Sequence, residues 1–245
     1  MLGQRERFGV IIPSTNTVVE HDFTMIRPDD VTFHYGRMYL PRPNLGNDED
    51  FLDLIDQIRA SIGVAVRDVV TCRPTSMLMG MSAETFWGGV EGNRAFEERI
   101  TEMSGGLRVS TGATSCREAL EVLGVERISV FSPYQPVADV QVSTFFREAG
   151  FDVRHVTGLR CASATAIAEV TPEHLEGVVA ALDDDTVEAV VQVGTNLSFV
   201  RQAADLEGRL GKPVVAINAA TLWHGLRHSG IDDRIEGFGS LLRDH

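Results

Sequence analysis

The sequence predicts an α/β protein made of two similar parallel-sheet halves. Three observations predict it. Short β-branched or apolar runs alternate with longer stretches of helical period. Some runs, such as Val190-Val191-Gln192-Val193, are almost unbroken, as suits a sheet covered on both faces. Segments of the first half also recur in the second, in the same order.

Taken in order, strands are expected at 8–12, 31–39, 69–72 and 107–110, then at 127–131, 151–156, 189–193 and 213–217. Helices fill the intervals at 51–66, 83–103, 114–123, 136–149, 172–182, 198–210 and 220–229. Gly124, Gly150, Gly211 and Gly230 each follow a helical run, where a left-handed cap is wanted. Asp183-Asp184-Asp185 reads as a solvated turn, because three adjacent aspartates cannot all face one ion.

The repeat sets the architecture. Phe8-Gly9-Val10-Ile11-Ile12-Pro13 matches Ile128-Ser129-Val130-Phe131-Ser132-Pro133, with the prolines 120 residues apart. Val69-Val70 leading to Pro74-Thr75 matches Val190-Val191 leading to Gly194-Thr195, again at 120. Segments 116–125 and 222–231 align at 106, placing Leu120 over Leu226 and Gly124 over Gly230. Duplication therefore predicts two pseudo-symmetric Rossmann-like, or flavodoxin-like, domains: 1–112 with 220–245, and 113–219.

Composition narrows the function. Of 245 residues, 43% are hydrophobic and 23% charged, which excludes a disordered chain. With a net charge of −13, a chain rarely has the basic face that nucleic acid needs, and a polybasic membrane anchor is not expected. No apolar run approaches the roughly 18–20 residues of a spanning helix. Segment 1–7 is charged and leads straight into a strand, so no leader peptide is expected. The cysteines, Cys72, Cys116 and Cys161, show neither metal spacing nor an even disulfide set. A cytoplasmic protein with reduced thiols is the expectation. Glycine-rich phosphate loops and the Gly-x-Ser-x-Gly elbow are missing.

In open parallel sheets ligands bind beyond the carboxyl ends of the strands. The loops expected there are 13–16, 74–77, 133–135 and 194–197, in pseudo-symmetric pairs around one cleft. They offer Ser14, Thr15, Asn16, Thr75, Ser76, Tyr134, Thr195 and Asn196. Hydroxyl and amide donors suit a small carboxylate. Each Ser or Thr alone is equally well read as a helix cap.

At these residues the chain resembles the aspartate/glutamate racemase superfamily, in its maleate cis-trans isomerase and arylmalonate decarboxylase branch. The resemblance runs from about residue 8 to 230. It rests on Gly9-Val-Ile-Ile-Pro-Ser-Thr-Asn-Thr17, Ser132-Pro-Tyr134, Gly194-Thr-Asn-Leu197 and Gly211-Lys-Pro-Val-Val-Ala-Ile-Asn-Ala-Ala-Thr-Leu-Trp-His224. It implies two domains about a pseudo-twofold axis, the terminal helix packed on the first, and chemistry without a cofactor on a small carboxylate. It also implies one cysteine per half, before the Thr-Ser and Thr-Asn pairs, acting as base or nucleophile. Those positions are read here as Pro74 and Gly194, neither of which carries a titratable atom. Two-thiol racemisation or isomerisation is thereby disfavoured. Asn16 and Tyr134 are retained, and in the family they help hold the carboxylate or stabilise an enediolate-like state.

Other groups could supply the chemistry. Cys72, two residues before Pro74, is placed at a strand end near the cleft, although a buried apolar cysteine is the plainer reading. Cys116 is placed near a helix start, whose dipole lowers a thiol pKa, and Cys161 in the loop after the sixth strand. Tyr134 is a proton donor or oxyanion partner but a poor base. Glu20, His21 and Asp22 follow the Asn16 loop. Arg73 could meet a carboxylate. His224 and His228 share a helix face with no third ligand in view, so no metal is expected. Met77, Met79 and Met81, with Phe86 and Trp87, fit a lid or a subunit interface, and a homo-oligomer is the expected assembly. The leading expectation is a cofactor-independent isomerase or lyase with Tyr134 and Cys72 as catalytic candidates. Its alternatives are a lyase or hydrolase acting on a cyclic amide, and an inactive carboxylate-binding protein.

Overall fold

The computed structural model describes residues 2–245. Two four-stranded sheets, all parallel, organise the chain. The first contains β1 (Glu6–Pro13), β2 (Val31–Met38), β3 (Ser76–Met79) and β4 (Arg108–Ser110), in the order β2-β1-β3-β4. The second contains β5 (Arg127–Ser132), β6 (Asp152–Gly158), β7 (Ala189–Gln192) and β8 (Val214–Ala216), in the corresponding order β6-β5-β7-β8. The two flavodoxin-like halves expected from the repeat are present.

Helices α1 (Val19–Ile26), α2 (Asp48–Val69), α3 (Gly89–Met103) and α4 (Gly112–Leu123) belong to the first run of elements. The second run has α5 (Pro136–Glu148), α6 (Pro172–Leu182), α7 (Val200–Leu210), α8 (Ile217–His228) and the short α9 (Ser240–Asp244). The third repeat segment is a pair of helix ends. Gly124 after α4 and Gly230 after α8 have φ of 69° and 72°. In both, the next amide bonds back to a leucine carbonyl, Val125 to Leu120 and Ile231 to Leu226. α4 and α8 pack against each other, and α8 also covers β3 and α1 of the first sheet.

One expected strand is wrong, and the error carries the site with it. Residues 69–72 finish α2 and form a 3-10 turn that ends at Arg73 with φ 55°. Their β-branched residues suggested a strand, but the buried stripe Phe51, Leu54, Ile58, Ile62, Ala65, Val66 and Val69 carries the helical period through. Asn47 caps that helix by accepting from the Asp50 amide, above three acidic first-turn residues. The true strand is β3, seven residues later. Its register against β1 pairs Phe8 with Ser76, as β5 pairs Ile128 with Ala189. The third strands are thus offset by 113 residues, while the first strands keep 120.

The methionine stripe is likewise reassigned. Met77, Met79 and Phe86 are fully buried and Met81 nearly so. Met77, Met79 and Phe86 fill the core of a sheet covered on both faces and form no lid, while Met81 reaches the wall of the cleft between the halves. The expected helix over 83–103 is broken: residues 83–86 form a 3-10 turn, and Gly88 and Gly89 at positive φ restart the chain as α3. Lys212 pairs with Asp183, and Asp184 caps the turn at Thr186. No helix among the described residues is long and apolar enough to cross a membrane.

Candidate active site

The carboxyl ends of β1, β3, β5 and β7 converge on one cleft between the halves. Loops following β2 and β6 roof it through an antiparallel bridge, Asn44 with Ser163, flanked by Leu45 N–H donating to Ala162 and Ala164 N–H donating to Pro43. The cavity there measures about 50 Å³ and opens to solvent. Its apolar wall comes from Leu40, Leu45, Leu54, Ile58, Met81 and Ile167. Its polar wall comes from Thr15, Asn16, Ser82, Tyr134, Thr195 and Asn196. Tyr134 is the one ionisable side chain in that lining.

At the centre, Ser82 Oγ and Tyr134 Oη lie 2.5 Å apart, and either hydroxyl can donate. Ser82 follows β3 and Tyr134 follows β5, so each half supplies one group. Ser82 Oγ also accepts from the Thr195 amide at 3.3 Å. By strand register Ser82 is the counterpart of Thr195, and Met81 that of Gly194. Tyr134 is held from behind: its amide donates to Ser132 Oγ, its carbonyl accepts from Arg160, and its ring meets Phe51 edge-on. Burial pushes the Tyr134 phenol well above its ordinary range, against a smaller lowering by the Ser82 hydrogen bond. It therefore stays protonated near neutrality.

Asn16 and Asn196 clasp the two halves. Asn16 Oδ1 accepts the Val18 and Val19 amides, and its Nδ2 donates to Thr195 Oγ1. Asn196 Oδ1 accepts the Thr17 amide, and its Nδ2 donates to the Ala164 carbonyl. Thr195 Oγ1 donates to the Gly80 carbonyl. Beneath them Asn218 Nδ2 bridges the Thr195 carbonyl and Asp22 Oδ2. Asp22 is almost fully buried, and that burial raises its carboxyl to about 6.

The structure brings Asn16, Tyr134, Thr195 and Asn196 together as the sequence suggests, and places Thr75, Ser76, Cys72, Arg73 and Ser14 outside the cleft lining. Thr75 and Ser76 stand at the amino end of β3, and both hydroxyls donate to Glu6 Oε1. Cys72 is exposed on the 3-10 turn, its thiol turned to the Val69 carbonyl. Pro74 packs beside Gly9 and Arg73 is exposed, both at that same remote end. Ser14 does not line the cleft; its Oγ accepts the Leu40 amide and ties β1 to the loop after β2. The misplaced strand accounts for Thr75, Ser76, Cys72 and Arg73, since a shift of seven residues carries a loop to the opposite end of the strands, while Ser14 is drawn off by the Leu40 amide.

Ser82 is the residue that sequence reasoning missed. The signal was available in the run Gly80-Met81-Ser82, which ends an apolar strand as Val193-Gly194-Thr195 does. Cys116 is fully buried in α4 and Cys161 is buried in its loop, and desolvation raises both thiols. Glu20 is paired with Arg37 near the surface.

A sequence profile of the arylmalonate decarboxylase family matches residues 8–242. The chain belongs to this family. A maleate isomerase from Pseudomonas putida KT2440 is 27% identical over 98% of both chains. The arylmalonate decarboxylase of Bordetella bronchiseptica is 27% identical over 67% of this chain and 69% of its own. In three dimensions, a maleate cis-trans isomerase variant from Nocardia farcinica, with a covalently bound succinylcysteine intermediate, superimposes with a TM-score of 0.89. That comparison covers 98% of this chain and 99% of the other, at 22% identity. Family membership fixes the branch, and the fold agrees with it. Within this family of isomerases and decarboxylases, both cleft loops here, 80–83 and 193–196, lack cysteine.

Proposed function

We propose that this member of the arylmalonate decarboxylase family is a cofactor-independent enzyme acting on a small carboxylate in the cleft, by one proton transfer without a thiol. The carrying observation is the Ser82–Tyr134 contact, set between an apolar and a polar wall with no cysteine in either neighbouring loop. A succinylcysteine such as the Nocardia farcinica relative holds needs a thiol at the cleft. Gly194 has φ 108°, and a Cβ there would overlap the Pro133 ring.

These features favour decarboxylation over thiol-mediated isomerisation. One carboxylate of a malonate-type substrate takes hydrogen bonds from the polar wall, and the other faces the leucines. Loss of that group as CO₂ breaks one C–C bond and leaves its electron pair as an enediolate. Hydroxyl and amide donors preorganised around the retained carboxylate stabilise this charge. Tyr134, protonated at neutral pH, delivers a proton to carbon beside Ser82 and is reprotonated from solvent.

Proton NMR in D₂O with phenylmalonate, maleate, aspartate, hydantoins and ectoine tests the reading. Decarboxylation with one solvent deuteron at the new C–H bond is the expected result. Conversion of maleate to fumarate without decarboxylation would overturn the preference. Ligand line broadening with no turnover across the panel would leave a carboxylate-binding protein.

A further inference from the structure

A second group of side chains lies at the α4–α8 contact and takes no part in the cleft. His224 and His228, one turn apart on α8, stack with 3.9 Å between ring centroids. Both Nε2 atoms lie 3.2 Å from the same oxygen, Glu118 Oε2 on α4. The three ligand atoms all fall within 4.8 Å of one another. His224 is 3% exposed, and because its contact with Glu118 Oε2 lacks hydrogen-bond geometry, its Nε2 makes no hydrogen bond. A buried polar atom without a partner calls for an explanation.

We propose that Glu118, His224 and His228 bind a divalent transition-metal ion, zinc in preference to magnesium or calcium. Tetrahedral ligands at about 2.0–2.1 Å from zinc stand roughly 3.3 Å apart, close to both nitrogen–oxygen separations here. Two imidazoles with one carboxylate select zinc-like ions over hard cations. Ser110 Oγ, 2.7 Å from His224 Nδ1, fixes that ring from behind as an outer-shell partner does for a metal-bound histidine. Glu118 Oε1 accepts from Arg117, which orients the carboxylate and leaves Oε2 to the imidazoles. His228 is 43% exposed, so the ion enters from solvent and water completes its shell. The ion would pin α4 to α8, the helix that carries Asn218 to the cleft. Sequence spacing showed only the two histidines, because Glu118 comes from the pseudo-symmetric helix more than a hundred residues away.

Cobalt and zinc titrations of the full chain at pH 7.5 provide the test. One equivalent of Co²⁺ should produce the visible absorption of a four-coordinate nitrogen–oxygen site without sulfur charge transfer, and Zn²⁺ should displace it. Zinc affinity, measured against a chromophoric chelator, should fall at least ten-fold in His228→Ala and in Glu118→Gln and stay unchanged in Cys72→Ser. Zinc should also raise the Tm of the parent chain but not of His228→Ala. The partial exposure of His228 makes that variant foldable, and circular dichroism of both metal-free proteins checks it. The proposal is overturned if the parent binds no stoichiometric ion at 100 µM, or if affinity survives both ligand substitutions.

Discussion

Ser82 and Tyr134 come from opposite halves of the chain and meet with 2.5 Å between their hydroxyl oxygens. Ser82 follows the first half's third strand, and Tyr134 follows the second half's first strand. Neither residue can be placed in the cleft by its own half alone. The contact is a property of the duplicated architecture.

Ser82→Ala removes that partner and the acceptor of the Thr195 amide, while Asn16, Thr195 and Asn196 keep their side-chain bonds to each other's loops and to Gly80. The expected outcome is a drop in kcat of roughly 10–100-fold, smaller than the roughly 10²–10⁴-fold of a lost proton donor because Tyr134 itself remains, with KM nearly unchanged. Steady-state kinetics on the substrate identified by NMR makes the comparison. A fall confined to KM would make Ser82 a binding group only.

A thiol-free reaction also predicts that the exposed thiol, Cys72, can be blocked without loss of activity. Iodoacetamide should modify exposed Cys72 and leave Cys116 and Cys161 largely untouched, since both are buried and both thiols are raised by desolvation. Intact-mass analysis should show one adduct, with activity within two-fold of the untreated enzyme.

Gly194 is expected to resist substitution. With φ 108° and the Pro133 ring where a Cβ would stand, Gly194→Ala and Gly194→Cys should each lose about 1–3 kcal/mol of stability. Urea denaturation measures the loss. Wild-type stability in Gly194→Cys would show that the loop moves readily and that space alone does not require glycine at 194.

Asp22 predicts a pH dependence of stability. Its folded carboxyl titrates near 6, mainly because burial disfavours the charge, against the lowering effects of Asn218 and neighbouring His21. An unfolded aspartate titrates near 4. The folded state therefore holds the proton more tightly between those values. Stability from this group is fully present below about pH 4, falls as pH rises towards 6, and is level above it. Asp22→Asn should remove this slope and exceed the parent above pH 7 by up to roughly 3 kcal/mol. Thermal melts from pH 4 to 8 read the difference.

Much of the fold was legible because periodicity and repetition are local signals. The match of 8–13 to 128–133 located the two central strands, and Gly124 over Gly230 located two equivalent helix ends. The site was only half legible. Asn16, Tyr134, Thr195 and Asn196 follow strands whose boundaries are sharp. Thr75, Ser76 and Cys72 were misplaced because Val69-Val70 carries strand-like residues at the end of an amphipathic helix. Tertiary packing decided that competition: α2 keeps its buried stripe to Val69, and the strand waits until Ser76. The two third strands have different offsets because the segments before them differ in length. Partners such as Glu118 with His224 could not be read at all, since nothing in linear spacing joins two helices from opposite halves.

The central claim is that the proton passes through the Ser82–Tyr134 pair and no thiol takes part. Turnover by Tyr134→Phe, followed by proton NMR in D₂O on the substrate found for the parent, tests it most directly. The account predicts a fall in kcat of at least about 100-fold, a loss typical of a missing general acid, with the fold and substrate binding retained. Turnover at the parent rate in Tyr134→Phe would contradict it.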